Sequence, residues 1–123
     1  MDMAKYHVVF LEESVEHLAE ISRSLLDLEK DPARMDAIDL IFRMAHSIKG
    51  MAASLDYDSI TEAAHRLEDR MQTIREAKRV AAGNELADLF AHLEEIESLI
   101  GALRDPNADS SVDQGSKKKI RNI

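Results

Sequence analysis

Through residue 104, apolar side chains recur at alternating spacings of three and four, the period of an amphipathic helix that buries one face. Val8, Leu11, Val15, Leu18, Leu25 and Leu28 make one such series, with Ser22 in its gap, and Ile38, Ile41, Ala45, Ile48, Ala52 and Leu55 make the second. Ile60, Ala63, Leu67, Met71 and Ile74 form the third series, and Leu86, Leu89, Leu93, Ile96, Ile100 and Leu103 the fourth. The breaks between them carry residues that start and stop helices. Asp31 in "KDP" offers an N-cap with Pro32 as the first helical residue. Ser59 and Glu62 in "SITE" have the spacing of a capping box, and Gly83 precedes Asn84, which suits the cap of the last helix. Short connections make successive helices antiparallel, so the pattern predicts an all-α, up-down-up-down four-helix bundle over residues 1–104. From residue 105 the run "DPNADSSVDQGSKKK" is polar and aperiodic, which predicts a flexible linker or tail over 105–123.

Composition agrees with helices and removes several functions. Two prolines, four glycines and no tryptophan in 123 residues, with 45% hydrophobic content, describe a single helical domain with one core. The formal net charge of −8 argues against a nucleic-acid partner, since the only basic cluster is Lys117–Lys119 in the tail. No cysteine is present, which excludes disulfide and thiolate chemistry and fits a reducing compartment. The early apolar run Val8–Leu11 is far too short for a signal-peptide core or a membrane span, so the chain reads as cytoplasmic with no direct membrane insertion.

Candidate chemistry concentrates in "AHSIKGMAASL", Ala45–Leu55. His46 lies eleven residues before Tyr57, at the centre of the turn between the second and third series, and Glu68 lies eleven after it. In an antiparallel hairpin those two positions share one height, roughly 16 Å from the turn. Each follows a core position by one residue, so each borders the core near solvent, while the handedness of packing decides whether they flank one groove. If they do, the carboxylate fixes the imidazole tautomer and leaves the opposite nitrogen as an exposed nucleophile. The ordinary histidine pKa, near 6.5, keeps much of such a ring neutral for attack on phosphorus. Lys49, one turn on, suits neutralisation of a phosphoryl group. Gly50 and Ala53 keep the surface low where another protein's active site would dock, although Gly50 also suits close helix packing.

These residues resemble the histidine phosphotransfer (HPt) family. "AHSIKG" is similar to its H-x-x-K-G core, with His46 as the phosphoacceptor, and "AHRLED" resembles the H-x-L-E segment of phosphotransfer domains in CheA-type chemotaxis histidine kinases. The opening "FLEESVEHLAEISRSLLDLEKDP" is similar to the first helix of those domains, so the likeness covers residues 6–104. It implies that His46 takes phosphate from ATP bound to a kinase catalytic domain and passes it to an aspartate of a response-regulator receiver domain. It also implies a supporting network of Glu68, His65 and Lys49. On this reading the domain is a substrate and carrier rather than a catalyst. No Gly-rich nucleotide loop or acidic metal cluster is visible, so the domain needs no cofactor of its own, and ATP and Mg²⁺ belong to partner domains. One departure is Asp56, which follows Leu55 where the family commonly has glycine. Asp tolerates the left-handed backbone such a stop requires. The tail "KKKIRNI" is similar to the run into the dimerisation region of such kinases, which implies a fragment of a longer protein; the alternative is a stand-alone phosphorelay protein.

Two other classes compete. His65 with Glu68, and His92 with Glu95, both pair histidine and carboxylate at i, i+3, as in di-metal bundles, although in reversed order. A purely structural adaptor would carry no phosphate at all. The remaining polar features have plainer readings: His7, His17 and His92 as surface residues, Glu12, Glu16 and Glu20 as a solvated stripe, and Met44 and Met51 as core filling.

Overall fold

A computed structural model describes residues 3–104, which form four helices: α1 (Met3–Lys30), α2 (Met35–Ser54), α3 (Asp58–Ala77) and α4 (Glu85–Arg104). The expected tail over 105–123 and Lys117–Lys119 lie outside the described residues. Each helix packs on two neighbours, α1 on α2 and α4, α3 on α2 and α4, and the α2–α3 seam is the most extensive. This is the all-α up-down four-helix bundle that the periodicity predicts.

The core is supplied by the expected faces of three helices. In α2, Ile38, Ile41, Ala45, Ile48 and Ala52 are fully buried; in α3, so are Ala63, Leu67 and Met71, with Ile60 and Ile74 nearly so; in α4, Leu89, Leu93, Ile96 and Ile100 are buried. Each buried leucine or isoleucine contributes about 1.5–3 kcal/mol by leaving water, so these faces fix the rotation of their helices. Met44 and Met51 are half-buried against the same core. Helix α1 departs from the expectation in its N-terminal half. Phe10 and Ser14 face inward there, while Val8 and Val15 stand 52% and 41% exposed; farther along, Leu18, Leu25 and Leu28 are buried as expected, joined by Ile21. Phe10 is the larger apolar payload, and it packs edge-on against Tyr57, with ring centroids 5.1 Å apart.

The helix ends also differ from the sequence expectations at two starts. Asp31 supports a turn instead of capping α2: its Oδ1 accepts Ala33 N–H at 3.1 Å and its carbonyl accepts Arg34 N–H. Helix α2 then begins at Met35, with Arg34 in the cap position and no side-chain cap. Pro32 is thus freed to offer its carbonyl to Val80 N–H at 2.9 Å, tying the α1–α2 turn to the α3–α4 loop. Ser59 lies inside α3, which starts at Asp58, so the capping box does not form; Tyr57 takes the cap position without a side-chain bond. Asn84 does precede α4, and its carbonyl accepts Asp88 N–H.

The α2–α3 turn carries the site at a fixed height. Tyr57 N–H reaches Ala52 O at 2.9 Å and Asp56 N–H reaches Ala53 O at 3.2 Å, the paired bonds of a Schellman stop. That motif needs a left-handed residue after the C-cap, and Asp56 supplies it at φ 61°. At the same end, the Tyr57 hydroxyl shares a hydrogen bond with His7 Nδ1 on α1.

Candidate functional site

His46 and Glu68 meet across the α2–α3 seam. Ala45 and Leu67, their chain neighbours, are fully buried, and this turns the following side chains toward the edge of the seam. His46 Nδ1 lies 2.6 Å from Glu68 Oε2. A carboxylate can only accept, so Nδ1 carries the hydrogen, and whenever the ring is neutral the lone pair is on Nε2. The two groups differ in exposure: the His46 side chain is 64% exposed, whereas that of Glu68 is 11% exposed. The sequence expectation that both stand near solvent therefore holds for His46 alone. Glu68 is drawn into the seam by its two partners.

The second partner is Lys49. Its Nζ lies 2.6 Å from Glu68 Oε1, a close ion pair rather than a well-aligned hydrogen bond. Burial pushes the Glu68 carboxyl up, but its close contacts with the Lys49 ammonium and the His46 ring outweigh it and hold the group below the ordinary glutamate range. Glu68 is consequently ionised at neutral pH and bridges ring and ammonium. The Lys49 ammonium, which the sequence suits to neutralising a phosphoryl group, is paired with Glu68 in this structure.

The other candidates sort around this cluster. Gly50 is exposed, and a Cβ built there would meet nothing within 4 Å, so the glycine is not required for close helix packing. Ala53 is exposed on the next turn. The structure does not bring His65 into the cluster; its half-exposed ring turns to Asp69, with Nε2 3.4 Å from Oδ1. A second clasp closes the seam two turns below, where Arg75 Nε meets Asp39 Oδ1 at 3.0 Å and the guanidinium stacks 4.3 Å over Phe42.

Two histidines read as plain surface residues have partners. His17 Nε2 lies 3.1 Å from Ser47 Oγ, so α2 is held on its α1 side one residue beyond His46. His7 is part-buried against Tyr57, with rings 5.9 Å apart and nearly perpendicular. The signal was present in the spacing: His17 and Ser47 are equidistant from Pro32, as are His7 and Tyr57, which is the construction that brought His46 level with Glu68. Among the described residues no group of three or more His, Cys, Asp or Glu could hold a metal ion, and Glu95 is engaged by Arg66 at 2.6 Å. Likewise, no helix there is long and apolar enough to cross a membrane.

The four-helix bundle carries a largely exposed histidine ring anchored through Nδ1 to a buried carboxylate, and residues 5–107 match the model of the Hpt domain family, to which this chain belongs. Within that family it is a homologue of the phosphotransfer domain of the chemotaxis protein CheA. It is 37% identical over 105 residues to CheA of Bacillus subtilis, covering 85% of this chain and 16% of the relative. It is 27% identical to CheA of Halobacterium salinarum over 98% of this chain and 18% of that protein. The chain therefore spans less than a fifth of these relatives' length. The CheA phosphotransferase domain from Thermotoga maritima superposes with a TM-score of 0.76 at 30% identity, covering 85% of this chain and 99% of that one.

Proposed function

We propose that His46 is the phosphoacceptor of a CheA-like histidine kinase. The observation that supports this most directly is the 64% exposed His46 ring whose Nδ1 is anchored to Glu68. The Nε2 lone pair attacks the γ-phosphorus of ATP held by a kinase catalytic domain. A nitrogen–phosphorus bond forms, the bond to the bridging oxygen breaks, and ADP leaves. The ring keeps its Nδ1 proton, and Glu68 stabilises the positive charge that develops on the imidazole. The phosphoryl group then passes to an aspartate on a receiver domain, regenerating the neutral ring.

Lys49 in this scheme balances the Glu68 charge in the unmodified protein, and a dianionic phosphoryl group on the ring competes for the same ammonium. Gly50 and Ala53 leave the approach to Nε2 open to both partner domains. His65, on the next turn of α3, has a supporting role at most through its own helix. The domain needs no cofactor of its own; ATP and Mg²⁺ enter with the catalytic domain. The setting is the cytoplasm, as part of a longer chemotaxis kinase rather than as a stand-alone relay protein, since the relatives it resembles are chemotaxis proteins several times its length.

The test is labelling with γ-³²P ATP and a CheA-type catalytic domain. The wild type acquires acid-labile label and His46→Gln acquires none while keeping its helical circular dichroism. Equal labelling of the variant rejects His46 as acceptor.

A further inference from the structure

Helix α1 carries two apolar stripes, and the bundle covers the second only in part: Leu11 packs against the core while Val8 and Val15 stay exposed. Val8, Leu11 and Val15, at helical spacing, line a groove between α1 and α4 that continues past Ile100 to Gly101, with Arg104 lining both parts of it. Val8 and Val15 are 52% and 41% exposed, although they have the periodicity of core residues. The groove is rimmed by acid: Glu12 and Glu16 on α1, Glu97 on α4. Glu12 and Glu16 sit one turn apart, a repulsive spacing, and neither makes an ion pair among the described residues. An apolar floor whose rim sets three carboxylates against the single Arg104 guanidinium suits a ligand that is basic and aliphatic at once.

We propose that this groove is the docking site of the chain's own segment Lys117–Ile123, "KKKIRNI". That segment holds the one concentrated basic run of an otherwise acidic protein, Lys117–Lys119 with Arg121, interleaved with Ile120 and Ile123. Its charges match Glu12, Glu16 and Glu97, and its isoleucines match the Val8–Val15 floor. Reach is sufficient. The chain leaves α4 at Arg104, inside the groove, and the dozen residues to Lys117 span up to about 40 Å, against roughly 10 Å between Val8 and Val15 along α1. Tethering also keeps the segment at high effective concentration beside the groove, so a modest contact suffices. The groove lies on the α1–α4 side, away from the α2–α3 seam that carries His46, so docking leaves the acceptor open.

The chain contains no cysteine, so Ser116→Cys accepts a single nitroxide label in the full 123-residue protein. Docking predicts that the Val8 and Val15 methyl signals lose about twofold or more intensity relative to Ile74 in α3, and that the loss is relieved in high salt. It is also relieved by Glu12→Lys with Glu16→Lys and, independently, by Lys117→Glu, Lys118→Glu and Lys119→Glu. Equal broadening of all three methyls, or broadening untouched by either charge reversal, overturns the proposal. Broadening seen only between labelled and unlabelled chains in a mixture overturns it as well, since the occupant is then a second copy.

Discussion

At the scale of single residues, the site is organised by one carboxylate. Glu68 is buried, yet it stays ionised because His46 and Lys49 each give it a partner at 2.6 Å. Its depressed folded-state value means that its contribution to stability is complete above the ordinary carboxylate range and is lost as pH falls through the folded value. The urea midpoint of the wild type should therefore decline from about pH 5 downward with a component that Glu68→Gln lacks. At neutral pH that variant loses the charge partner of Lys49 and should be less stable by about 1–3 kcal/mol. Phosphoryl acceptance should fall further than stability does, up to about a hundredfold, because the ring is no longer held in one orientation. Single-turnover labelling of folded protein measures this. Unchanged rates would mean that the carboxylate is merely structural.

At the scale of elements, α2 carries both the core stripe and the candidate surface, separated by one residue at Ala45 and His46. The stripe was legible because Ile38, Ile41, Ala45, Ile48 and Ala52 obey one period without interruption, and α3 and α4 are equally regular. The first half of α1 was not. Val8 and Val15 continue the series of Leu18, while the residues that turn inward include Ser14, a fully buried hydroxyl that no hydrophobic pattern announces. The start of α4 was legible, since Asn84 directly precedes the helix; at Asp31 the side chain found a turn amide before the helix began. Gly50 gives the test at this scale. Open space around its Cα means that Gly50→Ala keeps the fold and gains up to about 1 kcal/mol of helix propensity, read as a rise in melting temperature. If the cleared surface serves docking, the same variant accepts phosphate more slowly. A rate equal to wild type would confine the glycine to a passive role.

For the whole molecule, the four helices act as a frame that places α2 against α3 at a set height and rotation. The height was readable from His46 and Glu68 lying equally far from Tyr57. The handedness that puts them in one seam was not, because it emerges only when all four faces close on a common core. The same limit hid His17–Ser47 and His7–Tyr57, whose partners lie 30 and 50 residues apart. Ile48, fully buried two residues beyond His46, reports on the frame itself. Ile48→Ala should lower unfolding free energy by about 2–5 kcal/mol while leaving the acceptance rate of the folded fraction near wild type. A loss of rate in fully folded protein would show that the frame tolerates less movement at the seam than this account allows.

The tethered-ring account meets its most direct test in long-range ¹H–¹⁵N correlation of His46 in labelled protein, before and after phosphorylation. It predicts the Nδ1–H tautomer in the free domain near neutral pH and the phosphoryl group on Nε2 afterwards. An Nε2–H tautomer in the free domain, or phosphate on Nδ1, would contradict it.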